Sequence, residues 1–98
     1  PTFESDKANR APKNIILMIG DGNGITQISS AVLANNGELS LTQLKSVGFI
    51  KTQSADDFTT DSAGAGSAIA TGQKTNNRAI GTDVNGRAIP NLTEILSN

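Results

Sequence analysis

Two oxygen-bearing side chains stand where the sequence could do chemistry: Asp21, which closes an apolar run, and Ser62, which follows Asp61 at the head of a stretch of small residues. A serine hydroxyl is a weak nucleophile until a neighbouring base or a metal ion activates it. The 98 residues contain no histidine, so no Ser-His-Asp triad can be assembled within them, and a closed zinc site would have to be built from carboxylates. They contain no cysteine either, which removes disulfides, thiolate chemistry and Cys-ligated zinc and leaves the redox compartment undetermined. Any nucleophile here must be activated by something other than imidazole. Each residue also has a plainer use: Asp21 as the first residue of an Asp-Gly turn, Ser62 as a helix N-cap.

The elements that must position this pair are legible in outline. After a polar leader over residues 1–13, the run Ile15-Ile16-Leu17-Met18-Ile19 has the length and continuity of a strand buried on both faces of a parallel sheet, ended by Gly20-Asp21-Gly22. From Thr26 onward Ile28, Ala31, Val32 and Ala34 recur at near-helical spacing, and Gly37 supplies a stop. A short turn from Ser40 to Leu44 leads into a second strand candidate, Val47-Gly48-Phe49-Ile50-Lys51-Thr52. Strand, helix, strand at this separation is a right-handed crossover with parallel strands, whose carboxyl ends open on one edge of the sheet. That is where doubly wound proteins place their binding crevice, and it would bring Asp21 and Ser62 to the same edge.

The stretch Asp61 to Gly72 is expected to be a helix opening at Asp61 or Ser62. Its first N–H groups and its dipole suit a phosphoryl group, and glycines allow close approach to the backbone. Each glycine costs a helix about 1 kcal/mol against alanine, so Gly64 and Gly66 point to close backbone packing. Further on, Val84-Asn85-Gly86-Arg87 carries the Asn-Gly signal of a tight hairpin. Pro90 suits a helix N1 position, with Leu92, Ile95 and Leu96 as an apolar face in a helix expected to run to the last residue.

Several functions are excluded. Eight basic and nine acidic side chains without a run of either sign give no footprint for nucleic acid or an anionic membrane. The apolar run is too short to span a bilayer, the leader has no signal-peptide h-region, and the chain reads as soluble. Gly20-Asp21-Gly22-Asn23-Gly24 fails the dinucleotide fingerprint, because position 25 is Ile. Gly66 to Thr75 fails the phosphate-loop pattern, with five residues between the glycines and Gln73 where lysine is needed. The sequon Asn91-Leu92-Thr93 is short and would lie within a helix.

Asn14-Ile15-Ile16-Leu17-Met18-Ile19-Gly20-Asp21-Gly22 resembles the first strand and metal-binding aspartate of alkaline phosphatases, and Asp61-Ser62-Ala63 resembles their phosphorylation motif. The likeness continues through Ala70-Thr71-Gly72-Gln73-Lys74-Thr75 and Ala79-Ile80-Gly81. The family usually has Val or Ile where Thr59 stands and Thr where Ser67 stands. The resemblance implies an N-terminal portion of the family's domain over residues 14–98, with a three-layer α/β/α fold around a mostly parallel sheet. It implies hydrolysis of phosphate monoesters through a phosphoserine intermediate, releasing inorganic phosphate. Ser62 would be the nucleophile and a zinc ligand. Asp21 would bridge that zinc and a magnesium ion, and Asp61 would support a phosphate-binding arginine lying further along, which neither Arg78 nor Arg87 replaces. Two Zn2+ and one Mg2+ are the implied cofactors. The remainder of the enzyme polypeptide and a second copy forming a homodimer are the implied protein partners, in a periplasmic or secreted setting.

Sulfatases of the same superfamily need proline two residues after the nucleophile, and Gly64 stands there instead, which favours monoester hydrolysis. The rival reading, supported by the missing histidines, is a non-catalytic fragment that binds a phosphorylated ligand or a partner chain. On either reading the 98 residues alone are expected to be inactive.

Overall fold

The computed structural model describes Ala11 and residues 13–97; most of the expected leader over residues 1–13 lies outside the described residues. The chain divides between Gly48 and Phe49 into two units.

In the N-terminal unit the turn Gly20-Asp21-Gly22-Asn23 is closed by the Asn23 N–H on the Gly20 carbonyl at 3.2 Å. Gly22 has φ +67°, a left-handed conformation that a β-carbon disfavours. Helix α1, Ile25–Ala34, begins immediately after. Gly24 has no side chain to cap it, and Gln27 reaches back instead, its Oε1 accepting the Gly24 N–H at 3.1 Å. Of the face that the periodicity marks out, Ile28, Ala31 and Val32 are half-buried and Ala34, the last residue of the helix, is exposed. The stop is where Asn35-Asn36-Gly37 requires it: Asn36 and Gly37 both take positive φ, and the Gly37 N–H bonds the Val32 carbonyl at 2.8 Å. A single 3₁₀ turn, Ser40–Gln43, follows.

The two expected strands are not formed. No strand ladder exists among the described residues, whose only β pairing is an isolated antiparallel bridge between Thr82 and Ala88. A parallel strand gains its stability from neighbours at its edges and cover on its faces. The run Ile15 to Ile19 has neither and stays 62–89% exposed. Val47, Phe49 and Ile50 are exposed in the same way. The crossover that was expected to bring Asp21 and Ser62 to one sheet edge is therefore absent from the described residues.

The C-terminal unit is held by hydrogen bonds. No hydrophobic residue among the described residues is buried; Ser54, Ser67 and Thr75 are, together with Gly64. Helix α2, Ser62–Thr71, is its axis, and Gly72 at φ +74° ends it in the left-handed conformation expected of a terminal glycine. A hairpin turn forms at the Asn-Gly signal but one residue longer than the tight two-residue form. Val84 and Asn85 are its centre, the Gly86 N–H closes it on the Asp83 carbonyl at 3.0 Å, Gly86 takes φ +78°, and the Asp83 N–H bonds the Arg87 carbonyl at 2.8 Å. Asp83 Oδ1 accepts the Asn85 and Arg87 N–H groups at 2.8 and 2.9 Å, which fixes the turn.

Helix α3, Leu92–Leu96, lies against α2 and is shorter than expected. Its cap is Asn91, whose Oδ1 accepts the Thr93 and Glu94 N–H groups while Glu94 returns a bond to the Asn91 N–H. Pro90 thus precedes the cap and is not at N1, because Asn91 supplies the acceptor that starts the helix. The helix ends at Leu96, with Ser97 as its C-terminal cap. No helix among the described residues is long and apolar enough to cross a membrane.

Candidate functional site

Ser62 is the first residue of α2, exposed, and lines a cleft of about 410 Å³ with Ala63, Gly66, Ser67, Gly81 and Asn91. It is not the N-cap. Asp61 is, with extended backbone and its Oδ1 accepting the Gly64 N–H at 2.7 Å. This order follows from chemistry: a carboxylate is the stronger acceptor and also favours the positive end of the helix dipole. The helix head is consequently less open than its sequence suggests, since the Gly64 N–H is given to Asp61 and not to an incoming anion.

The other Asp61 oxygen accepts the Arg78 main-chain N–H at 2.7 Å. Asp61 therefore ties the helix start to the turn at 76–78, and Arg78 contributes there through its backbone, in a left-handed conformation with φ +67°. Asn77 completes the tie from the opposite side. Its Oδ1 accepts the Asp61 N–H at 3.0 Å, its Nδ2 donates to the Thr59 carbonyl at 3.0 Å, and its own N–H donates to Asp56 Oδ1 at 2.8 Å. The Asn77 N–H holds the Asp56 carboxyl below the ordinary carboxylate range, opposed by desolvation and helped by the Ser54 hydroxyl.

Gly64 shows why glycine stands at that position. A β-carbon there would lie 3.2 Å from the Asn76 carbonyl oxygen and 3.2 Å from Asp61 Oδ1. Gly66 meets nothing within 4 Å, so the close packing expected of both glycines holds for Gly64 alone. Ser67 is buried and joins α2 to the segment beyond the turn: its hydroxyl donates to the Ala79 carbonyl at 3.1 Å and accepts the Gly81 N–H at 2.9 Å.

Asp21 belongs to the N-terminal unit, where it is exposed in the turn before α1; Asp61 and Ser62 belong to the C-terminal unit. Among the described residues no three His, Cys, Asp or Glu side chains converge as a metal site would need. Asp21 and Ser62 offer the oxygen donors that zinc and magnesium accept, but do not by themselves make a metal centre. Asn77 and Asp56 escaped the sequence reading. Asn76-Asn77-Arg78 does carry a turn signal, since Asn tolerates left-handed backbone, but nothing local indicates that the turn closes on Asp61.

The family model for alkaline phosphatase matches residues 12–96. The chain belongs to the alkaline phosphatase family. Alkaline phosphatase 4 of Bacillus subtilis (strain 168) is 42% identical over 91 residues, which cover 84% of this chain and 20% of that protein. The alkaline phosphatase of Escherichia coli (strain K12) is 35% identical over 98 residues, covering 90% of this chain and 21% of that protein. Alkaline phosphatase 4 of Drosophila melanogaster is 36% identical over 90 residues, or 82% of this chain and 15% of that protein. The chain thus spans about one-fifth or less of the length of these relatives. No solved structure matches it. Membership carries an α/β fold class, and the described residues supply helices of that fold without its strands.

Proposed function

We propose that the protein containing this chain hydrolyses phosphate monoesters, with Ser62 as the nucleophile. The observation that carries the reading is the placement of Ser62: exposed at the first turn of α2, on a cleft, with Asp61 and the 76–78 turn bonded around the helix start. Ser62 Oγ gives up its proton to solvent and attacks phosphorus, the Oγ–P bond forms as the P–O ester bond breaks, and the ester oxygen leaves with that bond's electron pair and takes a proton from water to become the alcohol. Water then cleaves the phosphoserine and releases inorganic phosphate. Asp61 keeps the attacking residue at the helix head, with an arginine from beyond these residues as the phosphate clamp.

Asp21 and Ser62 are the residues here that would ligate metal, two Zn2+ and one Mg2+ in the complete site, the remaining ligands coming from outside the 98 residues. Bound ions lower the pKa of a coordinated hydroxyl and stabilise charge on the attacking and leaving oxygens. The complete fold is the three-layer α/β/α arrangement, in which the exposed runs at 15–19 and 47–52 become sheet strands. Periplasmic or secreted location and a homodimer belong to the same proposal.

A chromogenic aryl phosphate tests it. The complete gene product with zinc and magnesium should turn the substrate over, and Ser62→Ala should remove at least ~10³-fold of that rate, as for loss of a covalent nucleophile. Phosphate binding without turnover would overturn the assignment in favour of a non-catalytic phosphate-binding chain.

A further inference from the structure

A nucleophile must be held to a fraction of an ångström, since a misplacement of about 1 Å can cost ~10²-fold in rate. Helix α2 has no apolar anchor to provide this, for only Gly64 and Ser67 of it are buried. Its first residue is instead set by the chain that enters the helix, Thr59-Thr60-Asp61, and one side chain grips that segment at two places. The Asn77 carboxamide donates to the Thr59 carbonyl and accepts the Asp61 N–H, so its two ends bracket the residues immediately before Ser62. The carboxamide is itself aimed by its main chain, where Asp56 accepts the Asn77 N–H and Asp61 accepts the next one, from Arg78.

We propose that Asn77 is a positioning residue for Ser62, acting through the Thr59–Asp61 backbone; the inference rests on Ser62 being the nucleophile. No other side chain of similar size offers a donor and an acceptor at this spacing from the same turn. Serine and alanine are too short, and aspartate lacks the donor for Thr59. Gly64 belongs to the same device: its missing β-carbon lets the Asn76 carbonyl approach the helix, which brings Asn77 within reach of Asp61.

The test uses the complete, metal-loaded gene product and rapid-quench phosphorylation by a labelled aryl phosphate. The burst amplitude counts folded, competent sites, and the rate constant reports how well each site is aligned. Asn77→Ala should lower the rate constant at least ~10-fold with an amplitude per folded molecule near that of the parent and KM changed less than threefold. Asp56→Ala, a change at an exposed residue that frees the Asn77 N–H and the Ser54 hydroxyl but leaves the Asn77 side chain in place, should lower the same rate constant a few-fold. A rate constant within twofold of the parent in Asn77→Ala, or a loss confined to amplitude, would overturn the proposal. If Asn77→Ala does not fold, an unchanged rate constant in Asp56→Ala overturns it equally. Ser62→Ala is run in parallel. Label persisting there refutes the nucleophile, whereas label lost there beside an unaltered Asn77→Ala rate refutes the positioning role alone.

Discussion

Asp56 accepts the Asn77 N–H and the Ser54 hydroxyl, and its carboxyl is therefore easier to ionise in the folded chain than in the unfolded one. The linkage sign follows: with the folded pKa below the unfolded value of about 3.9, the contribution is complete above that value and is lost as pH falls through the folded pKa. Asp56→Asn should accordingly lower the unfolding midpoint at neutral pH, by a margin that holds above the ordinary carboxylate range and closes as pH falls below it. Thermal unfolding of parent and variant across that range is the check, and a margin independent of pH would show that the charge is not what matters. Asp21 is a different case, an exposed turn residue whose proposed role lies entirely in what it ligates. Asp21→Asn in the complete protein should reduce bound metal and turnover together while leaving the fold intact, because an amide is a poorer ligand for a divalent cation. Metal analysis beside activity decides it. Unchanged values for both would return Asp21 to a turn residue and nothing more.

At the level of elements, helix α2 separates two glycines that the sequence presents as equivalent. Gly66→Ala adds a methyl group to open space on an exposed helical position and should raise stability by about 1 kcal/mol. Gly64→Ala sets a β-carbon against the Asn76 carbonyl and should destabilise, displacing the 76–78 turn. Denaturant unfolding of the two variants gives opposite signs if this is right. Elements governed by local chemistry were readable from residue types: the Gly37 stop and the opening of α2 at Asp61-Ser62 stand where turn and capping preferences put them, and a turn forms at Asn85-Gly86, one residue longer than the tight hairpin expected. Pro90 was read as N1 because proline favours that position, but the two acceptor bonds of Asn91 outweigh the preference. The strands at 15–19 and 47–52 were read from apolar runs whose partners no local pattern specifies, and here those runs are exposed. In the candidate site, Asp61 and Ser62 were legible as a motif. Asn77 was not, because its two bonds to Asp61 and Thr59 cross 16 and 18 residues.

For the molecule as a whole, the absence of any buried hydrophobic residue among those described means that these residues lack the largest stabilising term of ordinary domains. The apolar runs Ile15 to Ile19 in the N-terminal unit and Phe49-Ile50 in the C-terminal unit are each exposed, and each would be covered in the proposed three-layer fold. Residues 1–98 expressed alone should therefore show no turnover of an aryl phosphate even with zinc and magnesium, while the complete gene product turns it over. Activity of a purified particle of 10.1 kDa would refute the proposed need for ligands from elsewhere. The most direct measurement of the central claim is to trap the covalent intermediate. The complete protein is incubated with labelled phosphate at mildly acidic pH, quenched and digested, and the labelled peptide is sequenced. The expected result is phosphate on Ser62, with no label in Ser62→Ala at comparable metal content; label on another residue, or undiminished label in the variant, would contradict it.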